Sequence, residues 1–272
     1  MTRIPVLLYH SVSADPSSWI AHYTVTPETF ARQMDAVIES DRTPLTVSGL
    51  RDALRDARKL PPRPVVITFD DGFADTLTAA TPALARRDLP ATTYITTGAM
   101  GRPSPGGDAM LQWSQLDELR ATGHELGGHT RTHPELDTVS PGAAGEEIKA
   151  CKDDLEQRLG FVIRSFAYPY GYSNSRVREI VRAAGYESAC SVKNAFSVPD
   201  DPEYSIARLA VTAYTSLDRF RGWLDGAGTH VAHPKDTAFA IGWRTARRLR
   251  SRVRETAAWP GAAEPRQEIR QS

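Results

Sequence analysis

The chain has 272 residues, and its 33 lysines plus arginines balance 33 aspartates plus glutamates. That length suffices for one sizeable α/β domain with its own core. A net charge of zero excludes the broad basic footprint of a general nucleic-acid binder, so no nucleic-acid partner is expected.

At the N-terminus Ile4-Pro5 leads into an apolar run over 6–9, expected as the first strand. The run is too short for a signal-peptide core, and no small-residue cleavage site follows it. No segment is long enough to span a bilayer, so the cytoplasm is the expected location. Thr26 reads as a helix cap with Pro27 at the first helical position, and Phe30, Met34, Val37 and Ile38 fall on one face of that helix. Further strands are expected over 65–69, 92–96, 125–127, 163–167, 187–191 and 207–211. Helices are expected roughly over 77–87, 114–121, 145–159 and 175–184, with Gly160 and Gly185 as stops for the last two. His124 reads as a structural residue at a strand start. The two cysteines, Cys151 and Cys190, are too few for a disulfide framework and read as small buried thiols.

Strand–helix alternation favours a parallel sheet of about seven strands covered by helices, as a barrel or an open sheet. Either form gathers active sites at the carboxyl ends of the strands. Composition changes after about Gly228. Residues 1–228 read as the folded domain and 229–272 as a basic helix and tail, with arginines crowding 244–254. That segment reads as a solvated face, with peripheral contact to an anionic membrane as the alternative.

The stretch Val65-Val66-Ile67-Thr68-Phe69-Asp70-Asp71-Gly72 ends an apolar strand in two adjacent carboxylates. They repel each other and must be solvated or matched by a cation, for which a metal is the natural choice. His129 and His133 add two imidazoles; four residues apart, they share one face of a helical turn that Pro134 would end. One carboxylate and two imidazoles form the donor set of a catalytic zinc site with a position left for water. Gly72 lets the backbone turn so that both carboxylates reach one cavity, one for the metal and the other as general base. The plainer alternative is that both aspartates cap the following helix.

Thr68-Phe69-Asp70-Asp71-Gly72, His129-Thr130-Arg131-Thr132-His133 and Phe166-Ala167-Tyr168-Pro169-Tyr170-Gly171 resemble, in that order, the first three motifs of the polysaccharide deacetylases. These are the metal-dependent deacetylases with a NodB-type homology domain. The resemblance covers roughly residues 4–225. It implies an α/β fold, a distorted (β/α) barrel of seven or eight strands, with 1–228 as the catalytic domain. It also implies hydrolysis of an acetyl group, most often N-acetyl, from a polysaccharide or aminosugar glycan.

Carried over by position, the resemblance implies Asp70 as catalytic base and Asp71, His129 and His133 as ligands of a divalent metal. Zinc is the first choice, with cobalt, nickel or manganese as alternatives. The Tyr170 backbone N–H would help to hold the oxyanion, and Pro169 and Gly171 would fix that loop against substrate. Trp113, after the Gly/Pro-rich 101–107 loop, is a candidate for stacking on a sugar ring, with core packing as the alternative.

Two positions depart from the family pattern. Many relatives carry an arginine where this chain has Ala167; the resemblance implies Arg208 as the substitute, because relatives with alanine there carry a similar arginine near the last strand, whereas Arg164 lies three residues earlier on the presumed strand. The late Leu-x-His motif that supplies the general acid has only a loose echo in Val231-Ala232-His233. Leu7-Leu8-Tyr9-His10 instead resembles a subgroup, including enzymes acting on poly-N-acetylglucosamine, whose acid histidine is on the first strand. His10 is therefore the expected acid, with His233 as runner-up. The competing readings are a hydrolase of a small non-sugar amide or cyclic imide on the same scaffold, and an inactive carbohydrate-binding relative.

Overall fold

The computed structural model describes residues 2–56 and 60–232. In chain order the elements are β1 (Val6–Tyr9), β2 (Ser11–Val12), β3 (Thr24–Val25), α1 (Pro27–Glu39), β4 (Thr43–Leu45), α2 (Val47–Arg55), β5 (Pro64–Phe69), α3 (Thr81–Ala85), β6 (Ala91–Ile95), α4 (Leu116–Ala121), β7 (His124–Gly128), α5 (Pro141–Leu159), β8 (Ser165–Ala167), α6 (Ser175–Ala183), β9 (Ser188–Cys190), β10 (Leu209–Ala210) and α7 (Leu217–Leu224). The expected strands all form, with β8, β9 and β10 shorter than expected and β5 and β7 longer. The sequence reading missed β2, β3, β4, α2 and α7, although Thr46 and Ser216 cap the two helices through their side chains.

The run in β5 has no polar face, and every residue of the strand is buried. Such strands belong to parallel sheets covered on both sides. Val65, Ile67 and Phe69 pack outward into a cluster that includes Phe30, Met34 and Val37 of α1. Val66 packs inward with Val6, Tyr94, Ala167 and Cys190. The large sheet is parallel throughout, in the order β10-β1-β5-β6-β7-β8-β9, with β4 paired to the first half of β5. Ile206, just before β10, bridges Cys190 of β9 in parallel and draws the two ends of the sheet together. The fold is the distorted barrel of seven strands along that path.

Three helices differ from expectation in an informative way. On α1 the buried face is Phe30, Gln33, Met34, Ala36 and Val37, while Ile38 is 50% exposed. The polar Gln33 is accommodated because its Oε1 accepts a hydrogen bond from the Tyr9 hydroxyl at 2.9 Å. The helix expected over 77–87 begins as a wide π turn, Thr76–Ala80, before α3. Pro82 lacks an N–H and its ring crowds the carbonyl four residues back, which a wider turn relieves. Helix α5 starts earlier than expected, at Pro141 behind the Ser140 cap, and stops at Gly160 with φ of 73°. Residues 229–232 still pack on the domain, with Ala232 N donating to Phe196 O at 3.0 Å. His233 and the arginine-rich 244–254 lie outside the described residues.

His124 starts β7, as expected of a structural residue, and its ring nitrogens lie 3.2 Å from Thr81 Oγ1 and 2.9 Å from Thr93 Oγ1. Burial lowers its pKa from 6.5 to about 4. The unfolded chain therefore binds a proton that the fold refuses, and stability contributed by neutral His124 is present above pH 6.5 and lost as pH falls toward 4. Urea unfolding at pH 7.5 and 4.5 should show His124→Gln losing about 2 kcal/mol less than the parent over that interval.

Candidate active site

The paired ends of β1 and β5 set the first half of the site. Tyr9 lies opposite Phe69 in register, so His10 and Asp70 leave the sheet at one level, with Asp70 N donating to Tyr9 O at 3.0 Å. The chain then turns sharply. Gly72 N donates to Asp70 O at 3.0 Å around Asp71, whose φ is +74°. A left-handed aspartate is tolerable but strained. The turn swings Asp71 out of strand alternation, so both carboxylates face one cavity. Gly72 itself has φ of +89°, so the turn expected there forms and extends back to Asp71.

The second half comes from the end of β7. His129 N donates to Ile95 O at 3.0 Å, and His129 Nδ1 lies 2.8 Å from Ala167 O. A carbonyl only accepts, so Nδ1 carries the proton and Nε2 presents its lone pair, the arrangement used to orient a ligating imidazole. Residues 129–133 do not form the expected helical turn. Thr130 and His133 have φ of +65° and +61°, and His133 N donates to Thr130 Oγ1 at 3.0 Å. Glu147 of α5 holds this bend from outside, accepting from Arg131 N at 2.9 Å, Thr132 N at 2.8 Å and the Thr132 hydroxyl at 2.6 Å. A bend with these bonds brings the two imidazoles together without a helical turn.

Asp71 Oδ1 lies 3.3 Å from His129 Nε2 and 3.2 Å from His133 Nε2. One ligand atom from each of the three lies within 4.8 Å of the others. The Asp71 oxygen is buried yet has no hydrogen bond of good geometry. A buried anionic oxygen facing two imidazole nitrogens fits a divalent cation better than it fits protein partners. Burial pushes the Asp71 pKa up, but the two imidazoles beside it, His133 foremost, hold it well below the ordinary range.

Asp70 is held differently. Arg208, fully buried, donates from Nη1 to Oδ1 and from Nη2 to Oδ2, both at 2.7 Å. The same guanidinium reaches Thr68 Oγ1 at 3.2 Å and Ser191 O at 3.3 Å. Burial raises the Asp70 pKa, and Arg208 with His129 more than reverses that, so the carboxylate stays ionised. Arg164, the nearer candidate in sequence, pairs instead with Asp52 and Glu187.

Asp70, Asp71, His129 and His133 line a cavity of about 280 Å³ together with His10, Trp19, Ile20, Tyr23, Tyr170 and Gly171. His10 Nδ1 is buried with no hydrogen-bond partner among the described residues. Burial lowers the His10 pKa more than Asp71 and Asp70 raise it. Tyr170 is a left-handed residue, φ +58°, with its ring 4.7 Å from that of His133. Gly171 behind it also has positive φ, +73°, and a Cβ there would collide with Val192. Pro169 is buried and does not line the cavity, and Trp113 lines a separate depression. Trp19 and Tyr23 were missed in the sequence; four residues apart in an irregular loop, they follow no periodicity that would mark them.

Residues 57–189 match the family model described as polysaccharide deacetylase. The chain carries a polysaccharide deacetylase domain. The poly-beta-1,6-N-acetyl-D-glucosamine N-deacetylase of Staphylococcus epidermidis is 27% identical over 206 residues, which cover 72% of this chain and 71% of that protein. Among solved structures, IcaB from Ammonifex degensii is 27% identical with a TM-score of 0.71, covering 82% of this chain and 97% of that one. The Streptococcus pyogenes deacetylase PplD, solved with acetate, is 26% identical with a TM-score of 0.71, covering 79% and 95%. The deacetylase domain therefore keeps the fold of these neighbours along nearly their whole length. Among the described residues no helix is long and apolar enough to cross a membrane.

The buried Arg208–Asp70 pair makes a stability prediction for this deacetylase domain. Arg208→Met alone should cost about 3–5 kcal/mol, because it strands a buried carboxylate. The double variant Arg208→Met/Asp70→Asn should recover most of that loss in urea unfolding, and equal losses in both would refute the pairing.

Proposed function

We propose that the chain is a metal-dependent N-deacetylase acting on N-acetylglucosamine units of a glycan. The observation that carries this reading is the pair of adjacent buried carboxylates with separate partners: Asp71 with two imidazoles and Asp70 with a guanidinium. Asp71, His129 and His133 would hold the metal, with zinc the best match to one carboxylate and two imidazoles. When bound, such an ion polarises an acetyl carbonyl and lowers the pKa of water.

The protein's own groups supply the rest. Asp70, ionised and oriented by Arg208, takes a proton from the attacking water. The Tyr170 backbone N–H donates to the developing oxyanion, and its left-handed conformation turns that loop toward the cavity. His10 protonates the leaving nitrogen, so the amide and water become acetate and an amine. Its lowered pKa makes the imidazolium a stronger donor while leaving less of it protonated at neutral pH. Trp19 and Tyr23, 44% and 42% exposed at the cavity, offer aromatic faces to a sugar ring. The name of the staphylococcal relative supports a β-1,6-linked N-acetylglucosamine polymer as the first substrate to try.

Acetate release from β-1,6-linked N-acetylglucosamine oligomers tests the reading, and hydrolysis of a cyclic imide with no release from the oligomers would overturn it. Asp70→Asn should lower kcat by about 10²–10⁴ while zinc content stays unchanged. His10→Ala should lower kcat by a similar factor, whereas His133→Ala should lose the zinc itself, read by metal analysis after dialysis. Chelation should abolish activity and added zinc restore it.

A further inference from the structure

The loop that carries His129 and His133 has a second side. Arg131, between them, turns outward and lines an open depression of about 660 Å³ with Arg102, Arg158, Trp113, Thr97 and Asp154. The size falls within the roughly 300–1,000 Å³ typical of small-molecule sites. Three guanidiniums share this surface with a single carboxylate. Asp154 is already engaged, 3.5 Å from Arg131 Nε and accepting from the Thr97 hydroxyl at 2.9 Å. In a chain of zero net charge, such a local excess of guanidinium is a feature of this place rather than of the composition.

The floor is fixed. Gly98 N donates to Arg131 O at 2.8 Å, and a Cβ on Gly98 would collide with that carbonyl. Trp113, half-buried against the core cluster, is held in place at the edge of the depression. Guanidiniums bind planar or tetrahedral oxyanions through paired N–H donors, and an indole face packs against the C–H face of a pyranose.

We propose that this depression binds an anionic sugar unit, a hexopyranose bearing phosphate or carboxylate, with Arg102, Arg131 and Arg158 on the anion and Trp113 on the ring. The site stands apart from the hydrolytic reading, because binding there requires neither the metal nor turnover.

Calorimetric titration of the full-length protein with glucose 6-phosphate, glucuronate, glucose and inorganic phosphate tests it. At least one of the two charged sugars should bind tenfold or more tightly than either glucose or phosphate, and the stronger of the two identifies the acid group. Arg102→Gln/Arg158→Gln, at exposed positions, should weaken that binding at least tenfold with acetate release unchanged. Trp113→Leu, which keeps an apolar contact with the core, should reduce the charged sugar to the affinity of phosphate or acetate alone. Absence of binding by both charged sugars, phosphate binding as tightly as they do, or affinity unchanged in the double arginine variant would each overturn the proposal.

Discussion

Two ionised carboxylates placed side by side in a protein interior carry a heavy desolvation cost, and the upper rim of this barrel is organised around meeting it. Each acid has its own partners. Asp70 receives a bidentate guanidinium from the end of the sheet, and Asp71 faces two imidazoles from the end of β7. Because the partners differ, the acids differ in chemistry despite being neighbours in sequence. One is neutralised within the protein and left with its orientation fixed, and the other is left with an oxygen suited to an ion.

Backbone strain does the sorting. Asp71, Thr130, His133 and Tyr170 all adopt positive φ, and all lie at or beside the cavity. For residues other than glycine that conformation is costly, and it persists where surrounding bonds determine it. Here the bonds are visible: the Gly72 turn for Asp71 and the Thr130 hydroxyl and Glu147 for the histidine bend. A rigid parallel sheet below supplies the reference frame, and short strained turns above it aim the side chains.

Much of this was legible in the sequence, because strand-end carboxylates, spaced imidazoles and alternating apolar runs report local chemistry. The strands of the barrel were legible, and the structure brings Asp71, His129 and His133 within reach of one another and Arg208 onto Asp70. The helical turn at 129–133 was not found as it is, because its shape depends on Glu147, a residue supplied by a later helix. Trp113, offered as a sugar-stacking residue or as core packing, packs against the core beside a different depression, for a related reason. An aromatic side chain in a loop carries no sign of which depression it will border, and that is decided by tertiary packing. Trp19 and Tyr23 escaped notice on the same ground. Helix α2 was overlooked because Pro44 and Gly49 look like punctuation, although Val47, Leu50 and Ala53 are buried along it.

The origin of the guanidinium has a consequence for how the protein comes into being on the ribosome. Arg208 is separated from Asp70 by 138 positions and enters only with the last strand, after Ile206 has drawn the sheet's two edges together. During translation the acid therefore emerges long before its counter-charge. A partly made barrel would carry that acid unpaired and favour its protonated form, so the chemistry of the site is withheld until the final strand has docked.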